Sequence, residues 1–538
     1  MTADLLIREA LVIDGSGSSG YHADVVVDDG TIAAIHRETG TAPSASRTVE
    51  AAGRVLAPGF IDMHAHSDLQ ILVNPDHTAK VSQGVTLEVV GQDGLSFAPI
   101  DAPSRAALRR QIAGWNGEPD DFDFNWDTVS GYLDRLDEGI ACNAAYLVPQ
   151  GTLRLMVVGP DRKPASNAEI ERMSGLLARG LSEGALGMSS GLTYPPGMFA
   201  DDDELVALCR VVAAHGGYYS PHHRSYGAGA IDAYAEMIAV ARASGCALHL
   251  THATMNFEPN RGRAGELLDL VDAALDDGVD ITMDTYPYLP GSTTLSAVLP
   301  SWSTSGGPDA LLRRLTDPAQ RARIGHELET IGTDGCHGCT ADWRTIQISG
   351  VRNPALADRV GSTIAELAAA AGRPAAEVFF DLLVDDGLGT TILQHVGHED
   401  NVQAIMRHRS HCGGSDAILV GARPHPRAWG TFPRYLAHYV RELGVLELPD
   451  CVHHFTGRPA ARLRLDRRGL VRAGYAADLV LFDPETVRDT ATFEAPKQQA
   501  EGIDWVLVNG TAVIADGDRT DALPGRALRR TAEGTRAL

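Results

Sequence analysis

The stretch Ala57-Pro58-Gly59-Phe60-Ile61-Asp62-Met63-His64-Ala65-His66-Ser67-Asp68 decides the fold class of this chain. An apolar run enters it from Val55 and ends in two histidines separated by one alanine, which predicts a buried strand with polar residues at its end. Side chains alternate faces along a strand, so His64 and His66 point the same way and can reach one metal ion. An isolated His-x-His pair is more often a polar loop than a metal site, so the interpretation depends on the other strands.

Seven further apolar runs follow this strand, and Ala- and Leu-rich helical stretches separate them. The seven runs are residues 89–93, 144–148, 185–189, 218–222, 247–252, 281–284 and 413–416. Eight strands alternating with helices are typical of a (β/α)8 TIM-type barrel, whose active site lies where the C-terminal ends of the strands meet. Nearly every run ends in His, Asp, Ser or Tyr, so the pattern predicts a polar site at the barrel mouth.

The two ends of the chain carry short strands with turn residues between them. Residues 1–56 and residues 466–538 each hold too few strands to cover both faces of a sheet. We therefore predict one small β-sandwich domain built from both termini, with the catalytic barrel at residues 57–465. The long gap between the seventh and eighth strands predicts an inserted subdomain at residues 290–350, near the barrel mouth.

Composition favours a small-molecule substrate over a macromolecular partner. The 538 residues include 46 Lys plus Arg and 70 Asp plus Glu, a formal charge of −24 that repels nucleic acid and anionic membranes. Seven cysteines, an odd number, argue against a disulfide framework and favour a reducing compartment. No segment reaches the roughly 18 apolar residues of a membrane span, and the first residues lack a signal pattern. We expect a cytoplasmic protein without a membrane or nucleic-acid partner; the oligomeric state stays open.

If the barrel forms, six side chains meet at its mouth. They come from the ends of the first, second, fifth, sixth and eighth strands and are His64, His66, Asp93, His222, His252 and Asp416. Imidazoles with interspersed carboxylates suit zinc, and three or four protein ligands leave room for water. Zinc lowers the pKa of a bound water to about 7, and a neighbouring carboxylate can accept its proton and pass it to a leaving amine. We choose Asp416 as that carboxylate.

Neighbouring residues compete for some of these positions. His249 and His252 lie three residues apart and face opposite ways, so only one lines the mouth, and we favour His252 as the later residue. His223 competes with His222 by the same alternation. Asp93 lies between two glycines and, read alone, fits a turn equally well.

Two other segments allow simpler interpretations. Ser415-Asp416 follows two glycines and could cap the helix after it. Cys336-His337-Gly338-Cys339 has the look of a metal or redox motif, but a second cysteine pair is absent. We assign no role to Cys336 and Cys339.

The motifs resemble those of the amidohydrolase superfamily and, within it, the N-acyl-D-amino-acid deacylases (D-aminoacylases). Besides the first strand, the matching segments are Ser190-Gly191-Leu192-Thr193-Tyr194-Pro195-Pro196-Gly197, Asp284-Thr285-Tyr286-Pro287-Tyr288, Gly291-Ser292-Thr293, Gly414-Ser415-Asp416, Pro424-His425-Pro426-Arg427, residues 430–434 and residues 474–480. The first and last are shared widely among amidohydrolases, whereas the middle ones are specific to the deacylases. The resemblance therefore runs nearly end to end.

This resemblance implies a role for each site residue. Zinc is held by His64, His66, His222, His252 and the second-strand residue Asp93, and the general base is Asp416. Arg427 binds the substrate α-carboxylate through two charge-assisted hydrogen bonds. A tyrosine of the Tyr286-Pro287-Tyr288 segment donates to the amide oxygen, without a decision between Tyr286 and Tyr288, and Ser292 lies in the substrate-binding segment.

The chain departs from the family pattern at three places. The usual second-strand ligand is a cysteine, whereas this chain has Asp93, a harder ligand, so the choice between one and two zinc ions stays open. The family usually has His-Lys after the sixth-strand histidine, but here Ala253-Thr254 follow and remove a cation. The expected Gly-His before the third-strand loop is replaced within residues 149–154. The last two changes bear on the preferred substrate side chain and not on the reaction. The sequence does not indicate the acyl group.

Three functional hypotheses follow. The first is zinc-dependent hydrolysis of linear N-acyl-D-amino acids to a carboxylate and a free D-amino acid. The second is an amidohydrolase acting on another C–N bond, such as a cyclic amide or a peptide containing a D-residue. The third is a non-catalytic scaffold barrel, which the retained ligand set argues against.

Overall fold

The computed structural model describes residues 2–531 and the backbone of residues 534–537. Its centre is a barrel of eight parallel strands in chain order, called here the first to eighth barrel strands. They are Phe60–Asp62, Val85–Val90, Asn143–Pro149, Gly187–Gly191, Tyr218–His222, Ala247–Leu250, Ile281–Thr285 and His411–Gly413. The amide of Met63 donates to Gly413 O at 3.2 Å, and the amide of Asp416 donates to His64 O at 2.8 Å, which joins the first strand to the eighth. The predicted (β/α)8 barrel is confirmed.

Helices connect the barrel strands and cover the outside of the barrel. They are Gln70–Val73, Thr78–Val81, Ala102–Gln111, Ala113–Asn116, Val129–Leu136, Gln150–Val157, Asn167–Ser182, Asp202–Ala214, Ala230–Ser244, Ala264–Asp276, Glu399–Met406, Arg427–Arg434, Leu448–Phe455 and Gly457–Leu463, with a π-helix at Tyr435–Glu442 and 3-10 turns at Gly197–Phe199 and Glu258–Asn260. Asn167–Ser182 shows why such segments are helical. A capping box between Ser166 and Glu169 opens it, and Met173, Leu177 and Leu181 form its buried stripe at helical spacing.

Both termini contribute to one sheet beside the barrel. Its nine strands are Ala3–Val12, Tyr21–Asp28, Thr31–His36, Ala45–Glu50, Val55–Pro58, Leu479–Phe482, Ile503–Val508, Thr511–Ala515 and Asp518–Arg519. Val55–Pro58 joins the two ends of the chain, since it pairs with the first of these strands and with Leu479–Phe482. Leu479 and Leu481 face the core of this sheet, whereas Val480 and Phe482 face the main core. Alternation along the strand therefore fastens the terminal sheet to the barrel. A two-stranded hairpin, Leu528–Thr531 with Gly534–Ala537, follows.

A separate unit is inserted between the seventh and eighth barrel strands. It holds an antiparallel sheet of Gly291–Thr294, Thr391–Gln394 and Ile346–Gly350, in that order. Its helices are Ser301–Thr304, Gly307–Thr316, Pro318–His326, Ile364–Ala371 and Ala375–Asp385, with a π-helix at Glu327–Ile331 and 3-10 turns at Leu295–Val298 and Pro354–Arg359. The unit has its own hydrophobic core. Because Thr391–Gln394 is the central strand, the sheet extends beyond the predicted end at residue 350; the domain boundaries themselves stay a prediction.

Among the described residues, no helix combines the length and the hydrophobicity that crossing a bilayer would require.

Candidate metal centre

The six side chains predicted from the strand ends lie together at the barrel mouth. His64, His66, Asp93, His222, His252 and Asp416 are all buried, with exposed fractions of 8% or less. Their nitrogen and oxygen atoms form two groups, each with two imidazoles and one carboxylate. Asp93 belongs to the second group and also faces the histidines of the first.

The first group joins the first strand to the eighth. His64 Nε2 lies 3.3 Å from His66 Nε2, which lies 3.2 Å from Asp416 Oδ1. Two nitrogens bound to one tetrahedral zinc at about 2.0–2.1 Å are about 3.3–3.4 Å apart, so the two imidazoles already have the spacing that zinc requires. His64, His66 and Asp416 fit a bound cation.

The second group joins the fifth strand to the sixth. His222 Nδ1 lies 3.0 Å from His252 Nε2 and 3.2 Å from Asp93 Oδ2. The other oxygen, Asp93 Oδ1, lies 3.6 Å from both His64 Nε2 and His252 Nε2, and it has no hydrogen-bond partner although it is buried. An unpaired buried carboxylate oxygen facing imidazole nitrogens is accounted for by a cation. Asp93 stands where it can bridge the two groups.

Three of these residues have left-handed backbone conformations. The φ angles are 53° at Asp93, 31° at His252 and 48° at Asp416. Such conformations cost about 1–3 kcal/mol each in residues other than glycine and are held only where surrounding contacts impose them. Here the amide of His252 donates to Asp284 Oδ1 at 2.9 Å, and the amide of Asp416 donates to His64 O at 2.8 Å. These left-handed conformations direct the three side chains toward the barrel mouth.

The competing histidines His249 and His223 lie outside the two ligand groups. His249 contacts Asp284 Oδ2 at 2.9 Å and Thr282 Oγ1 at 2.7 Å through its two ring nitrogens. His223 packs against the ring of Tyr226, with centroids 4.0 Å apart; it does not line the pocket over the cluster, and its two buried ring nitrogens have no hydrogen-bond partner. The structure thus brings His222 and His252 into the site, and not their neighbours. Asp284 supports the site without having been assigned a role from sequence, although it ends the seventh strand run.

The charge states of the cluster differ among its histidines. Burial lowers the pKa of His64 to about 4. Burial also acts against protonation of His252, but the Asp93 carboxylate, with Oδ1 3.6 Å from His252 Nε2, raises the pKa of His252 to about 9. Metal binding needs neutral imidazoles, so a cation and protons compete for this cluster.

Arg427 lies behind the ligand cluster, and Tyr286 lies against it. Arg427 Nη2 is 2.8 Å from Asp416 Oδ2, and the guanidinium carbon is 4.4 Å from the centre of the Tyr286 ring. Burial would raise the pKa of Asp416, but Arg427 and His66 hold it well below its usual range. Tyr286 lines the pocket over the cluster, whereas Tyr288 is not among the lining residues and reaches Asp489 at 3.4 Å. The geometry places Tyr286 at the site and Tyr288 outside it.

The inserted unit forms much of the pocket wall over the cluster. Ser292, Val298 and His337 from this unit line the pocket together with Phe257 from the barrel. His337 Nδ1 is buried without a hydrogen-bond partner, and its ring packs on Phe257 at 5.4 Å. Burial and the nearby site histidines lower the pKa of His337 to about 3. The segment Cys336-His337-Gly338-Cys339 stands out in the sequence. Its pattern draws attention to the cysteines, but the residue that lines the pocket is His337.

A buried charge network underlies the first and eighth strands. Asp62 accepts hydrogen bonds from the amides of His64 at 3.2 Å and Ser415 at 2.8 Å. Lys80 Nζ lies 2.5 Å from Asp62, 2.8 Å from Ser415 Oγ and 3.5 Å from Glu88. Burial opposes the charge on Lys80, but Asp62 and Glu88 raise its pKa, so the ammonium persists. This network connects the segments that carry His64 and Asp416, and sequence inspection did not assign it a role.

Lys80→Met is expected to destabilise the fold by about 3–5 kcal/mol, because it leaves Asp62 buried without its cation, whereas Glu88 keeps its contact with His77 at 2.8 Å. The measurement is the shift of the urea unfolding midpoint. Lys163→Met is the matched control, since the Lys163 side chain is 46% exposed in its ion pair with Glu169, and such a pair contributes less than about 1 kcal/mol. Equal stability of the two variants would contradict the network.

The barrel and its buried imidazole–carboxylate cluster define a metal-dependent hydrolase. A profile of the amidohydrolase family matches residues 47–514. The chain belongs to this family, and within it to the N-acyl-D-amino-acid deacylases, as the motifs indicated.

The relatives cover the chain almost completely. A D-aminoacylase of Alcaligenes xylosoxydans xylosoxydans is 36% identical over 530 residues, which are 98% of each chain. Among solved structures, a D-aminoacylase with a binuclear metal centre is 35% identical with a TM-score of 0.82, covering 98% of this chain and 100% of that one. An N-acyl-D-glutamate deacylase from Bordetella bronchiseptica, complexed with zinc and a phosphonate mimic of the tetrahedral intermediate, is 32% identical with a TM-score of 0.83 and the same coverage.

Proposed function

We propose that the protein is a zinc-dependent hydrolase that cleaves the amide bond of N-acyl-D-amino acids to a carboxylate and a free D-amino acid. The observation that carries this proposal is the pair of ligand groups bridged by Asp93, with Arg427 in contact with Asp416. The relatives agree in reaction class, since they are D-aminoacylases and N-acyl-D-glutamate and N-acyl-D-aspartate deacylases.

The residues available to hold one or two zinc ions are His64, His66, Asp93, His222 and His252. Bound zinc polarises an amide carbonyl and lowers the pKa of water. Asp93 replaces the cysteine that the family usually has at this position, and its two oxygens face different imidazoles. A carboxylate could contribute one oxygen to each of the two groups. A cysteine at this position would have to serve both groups with its single sulfur.

Asp416 is suited to move the proton in this reaction. Its depressed pKa keeps it ionised, so it can accept a proton from the attacking water. The amine of an amide leaves only after protonation, and Asp416 can then donate that proton to the leaving nitrogen. Hydrogen bonding within the strained turn at this residue fixes the carboxylate toward the ligand cluster.

Arg427 and Tyr286 supply substrate contacts. The guanidinium group is fully buried, and a substrate α-carboxylate would take over its interaction with Asp416. Burial raises the pKa of Tyr286 to about 12, so its hydroxyl stays protonated and can donate to the amide oxygen as negative charge develops. Ser292, the remaining residue of the predicted substrate-binding set, lines the same pocket as Tyr286.

We propose neutral D-amino acids as the preferred products. Among the described residues, no lysine or arginine lines the pocket over the ligand cluster, whereas Phe257, Val298 and Val396 do. An acidic side chain would lose hydration there without gaining a cation. This pocket composition favours D-aminoacylase activity over activity on N-acyl-D-glutamate.

The test is a steady-state panel of N-acetyl-D- and N-acetyl-L-amino acids, D-dipeptides and hydantoins. We expect N-acetyl-D-methionine to exceed its L-enantiomer in kcat/KM by at least about 10²-fold, because inverting the α-carbon misplaces the amide when the carboxylate is held. N-acetyl-D-methionine should also exceed N-acetyl-D-glutamate. Equal rates for the two enantiomers, or faster hydantoin opening, would overturn this substrate assignment.

The protein is also proposed to act in the cytoplasm without a nucleic-acid partner. All seven cysteines are unpaired thiols, which suits a reducing compartment, and the formal charge of −24 disfavours polyanions.

A further inference from the structure

A second cavity, called here the apolar chamber, lies beside the metal centre. It has a volume of about 390 Å³, within the range of roughly 300–1,000 Å³ that small-molecule sites occupy. Apolar side chains dominate its wall, among them Leu95, Ile112, Leu155, Met198, Leu299 and Leu388. None of the site residues proposed above lines it.

The chamber begins one layer of side chains away from the ligand cluster. Trp115 and Tyr194 line both the chamber and the pocket over the cluster. The Trp115 ring lies 5.0 Å from the ring of His66, and the Tyr194 ring lies 4.8 Å from the ring of His222. The two rings pack edge to face on each other, with centroids 4.8 Å apart, so a group attached to an amide carbonyl at the cluster would reach the chamber beside this pair and not between its rings.

Barrel topology places the chamber opposite Arg427, the residue proposed to bind the substrate α-carboxylate and called here the carboxylate clamp. Its barrel walls follow the second, third and fourth strands, at Leu95 and Trp115, Leu155, and Tyr194 respectively. Tyr286 and Arg427 follow the seventh and eighth strands. In a closed barrel of eight strands, the third and fourth lie across from the seventh and eighth. The chamber and the clamp therefore occupy opposite sides of the mouth.

The chemistry of the chamber excludes a carboxylate from its interior. The charged residues among the described residues that line it are Arg110 and Asp309, and they pair with each other at 2.9 Å with largely exposed side chains. The rest of the wall offers no uncompensated charge. Burying an apolar chain there is favourable, whereas burying a carboxylate is not.

We propose that the apolar chamber receives the acyl chain of the substrate and that the enzyme acts on N-acyl-D-amino acids whose acyl group is longer than acetyl. This inference rests on the proposed function. A trans amide directs its acyl chain away from the α-carbon that bears the carboxylate. With that carboxylate at Arg427, the acyl chain extends toward the opposite side of the mouth.

The test is a chain-length series on the zinc-loaded enzyme, with acetyl, butyryl, hexanoyl and octanoyl D-methionine. We expect kcat/KM to rise by roughly fourfold for each methylene that enters the chamber, so that hexanoyl exceeds acetyl by at least about tenfold. A flat or falling series, with N-acetyl-D-methionine still hydrolysed, would overturn the inference and leave the proposed function intact.

A matched pair of substitutions locates the effect. Ala107 lines the chamber, and its neighbour Ala106 is exposed on the same helix and does not line it. Ala107→Phe is expected to lower the hexanoyl-to-acetyl ratio of kcat/KM by at least about fivefold, and Ala106→Phe to leave the ratio unchanged. A ratio that survives Ala107→Phe in folded protein would assign the gain to another surface and overturn the proposal.

A binding measurement tests whether the apolar chamber holds an alkyl chain without requiring turnover. Calorimetric titration of the zinc-loaded enzyme with octanoate and with acetate is expected to show at least tenfold tighter binding of octanoate, and Ala107→Phe is expected to remove that difference. Equal binding of the two acids would overturn the chamber assignment even if no N-acyl-D-amino acid is hydrolysed. In a series of N-acetyl-D-amino acids, kcat/KM could instead rise with the length of the amino-acid side chain. If Ala107→Phe removes that rise, the chamber holds the side chain and the proposal fails.

Discussion

Asp416→Asn protein is expected to lose about 10²–10⁴-fold in kcat/KM for N-acetyl-D-methionine, the contribution of a positioned general base. Asparagine is nearly the same size but cannot accept a proton at neutral pH. Asp416 lies 3.2 Å from His66 and 2.8 Å from Arg427, so both the proton path and the approach of the substrate carboxylate meet at this one side chain. The assay is steady-state kinetics at saturating zinc.

Metal content must be measured on the same preparations, because Asp416 also faces the first ligand group. Loss of activity with zinc retained assigns the effect to proton transfer, and loss of both assigns it to metal binding. Asp518→Asn, at an exposed position of the terminal sheet, is the control and should retain full activity. A fully active Asp416→Asn protein would remove the general base from the proposed reaction.

Chelation is expected to abolish hydrolysis, and added zinc to restore it. The physical reason is the spacing of the buried imidazoles, since His64 Nε2 and His66 Nε2 lie 3.3 Å apart, the separation of two nitrogens bound to one tetrahedral zinc.

Zinc affinity is also expected to fall as the pH is lowered, since the pKa of His252 is about 9 and its proton must leave before a metal binds. Each displaced proton changes the affinity by about tenfold per pH unit below the pKa. Zinc titrations of chelated protein at two pH values measure this dependence.

His64→Asn tests the same site by mutation and should weaken zinc retention by at least about tenfold. His326→Asn is the control, because His326 is exposed at the end of a helix in the inserted unit. Metal-free protein that hydrolyses N-acetyl-D-methionine at the original rate would contradict the zinc-dependent reaction. A folded protein that binds no zinc would instead favour a scaffold role.

Asp93 distinguishes this site from the family pattern, in which a cysteine usually stands at this position. Its two oxygens face both ligand groups at 3.2–3.6 Å, with φ at 53° in a buried turn. The turn conformation predicted as one interpretation of this residue is present, and it is compatible with the other interpretation, a metal ligand. The left-handed turn directs the carboxylate into the cluster.

Much of the architecture could be derived from local pattern. The apolar runs ending in His, Asp, Ser or Tyr predicted the eight barrel strands, because periodicity and strand-end chemistry are properties of neighbouring residues. The pair His64 and His66 was recognisable for the same reason. The resemblance of the motifs to the N-acyl-D-amino-acid deacylases added the reaction class, which family membership confirms.

Other features depended on contacts between distant parts of the chain. Lys80 meets Ser415 across 335 positions, and Tyr288 meets Asp489 across 201, so neither the charge network nor the choice of Tyr286 is visible in a local pattern. Likewise, the apolar chamber exists only where loops after the second to fourth strands meet the inserted unit. The sequence by itself determined the barrel, the types of the candidate metal-binding side chains and their order along the strands, since alternation and strand ends are local. Only the tertiary structure decided which tyrosine faces the pocket, what neutralises Asp62 and where a long acyl chain could lie, because packing between distant segments sets each of these.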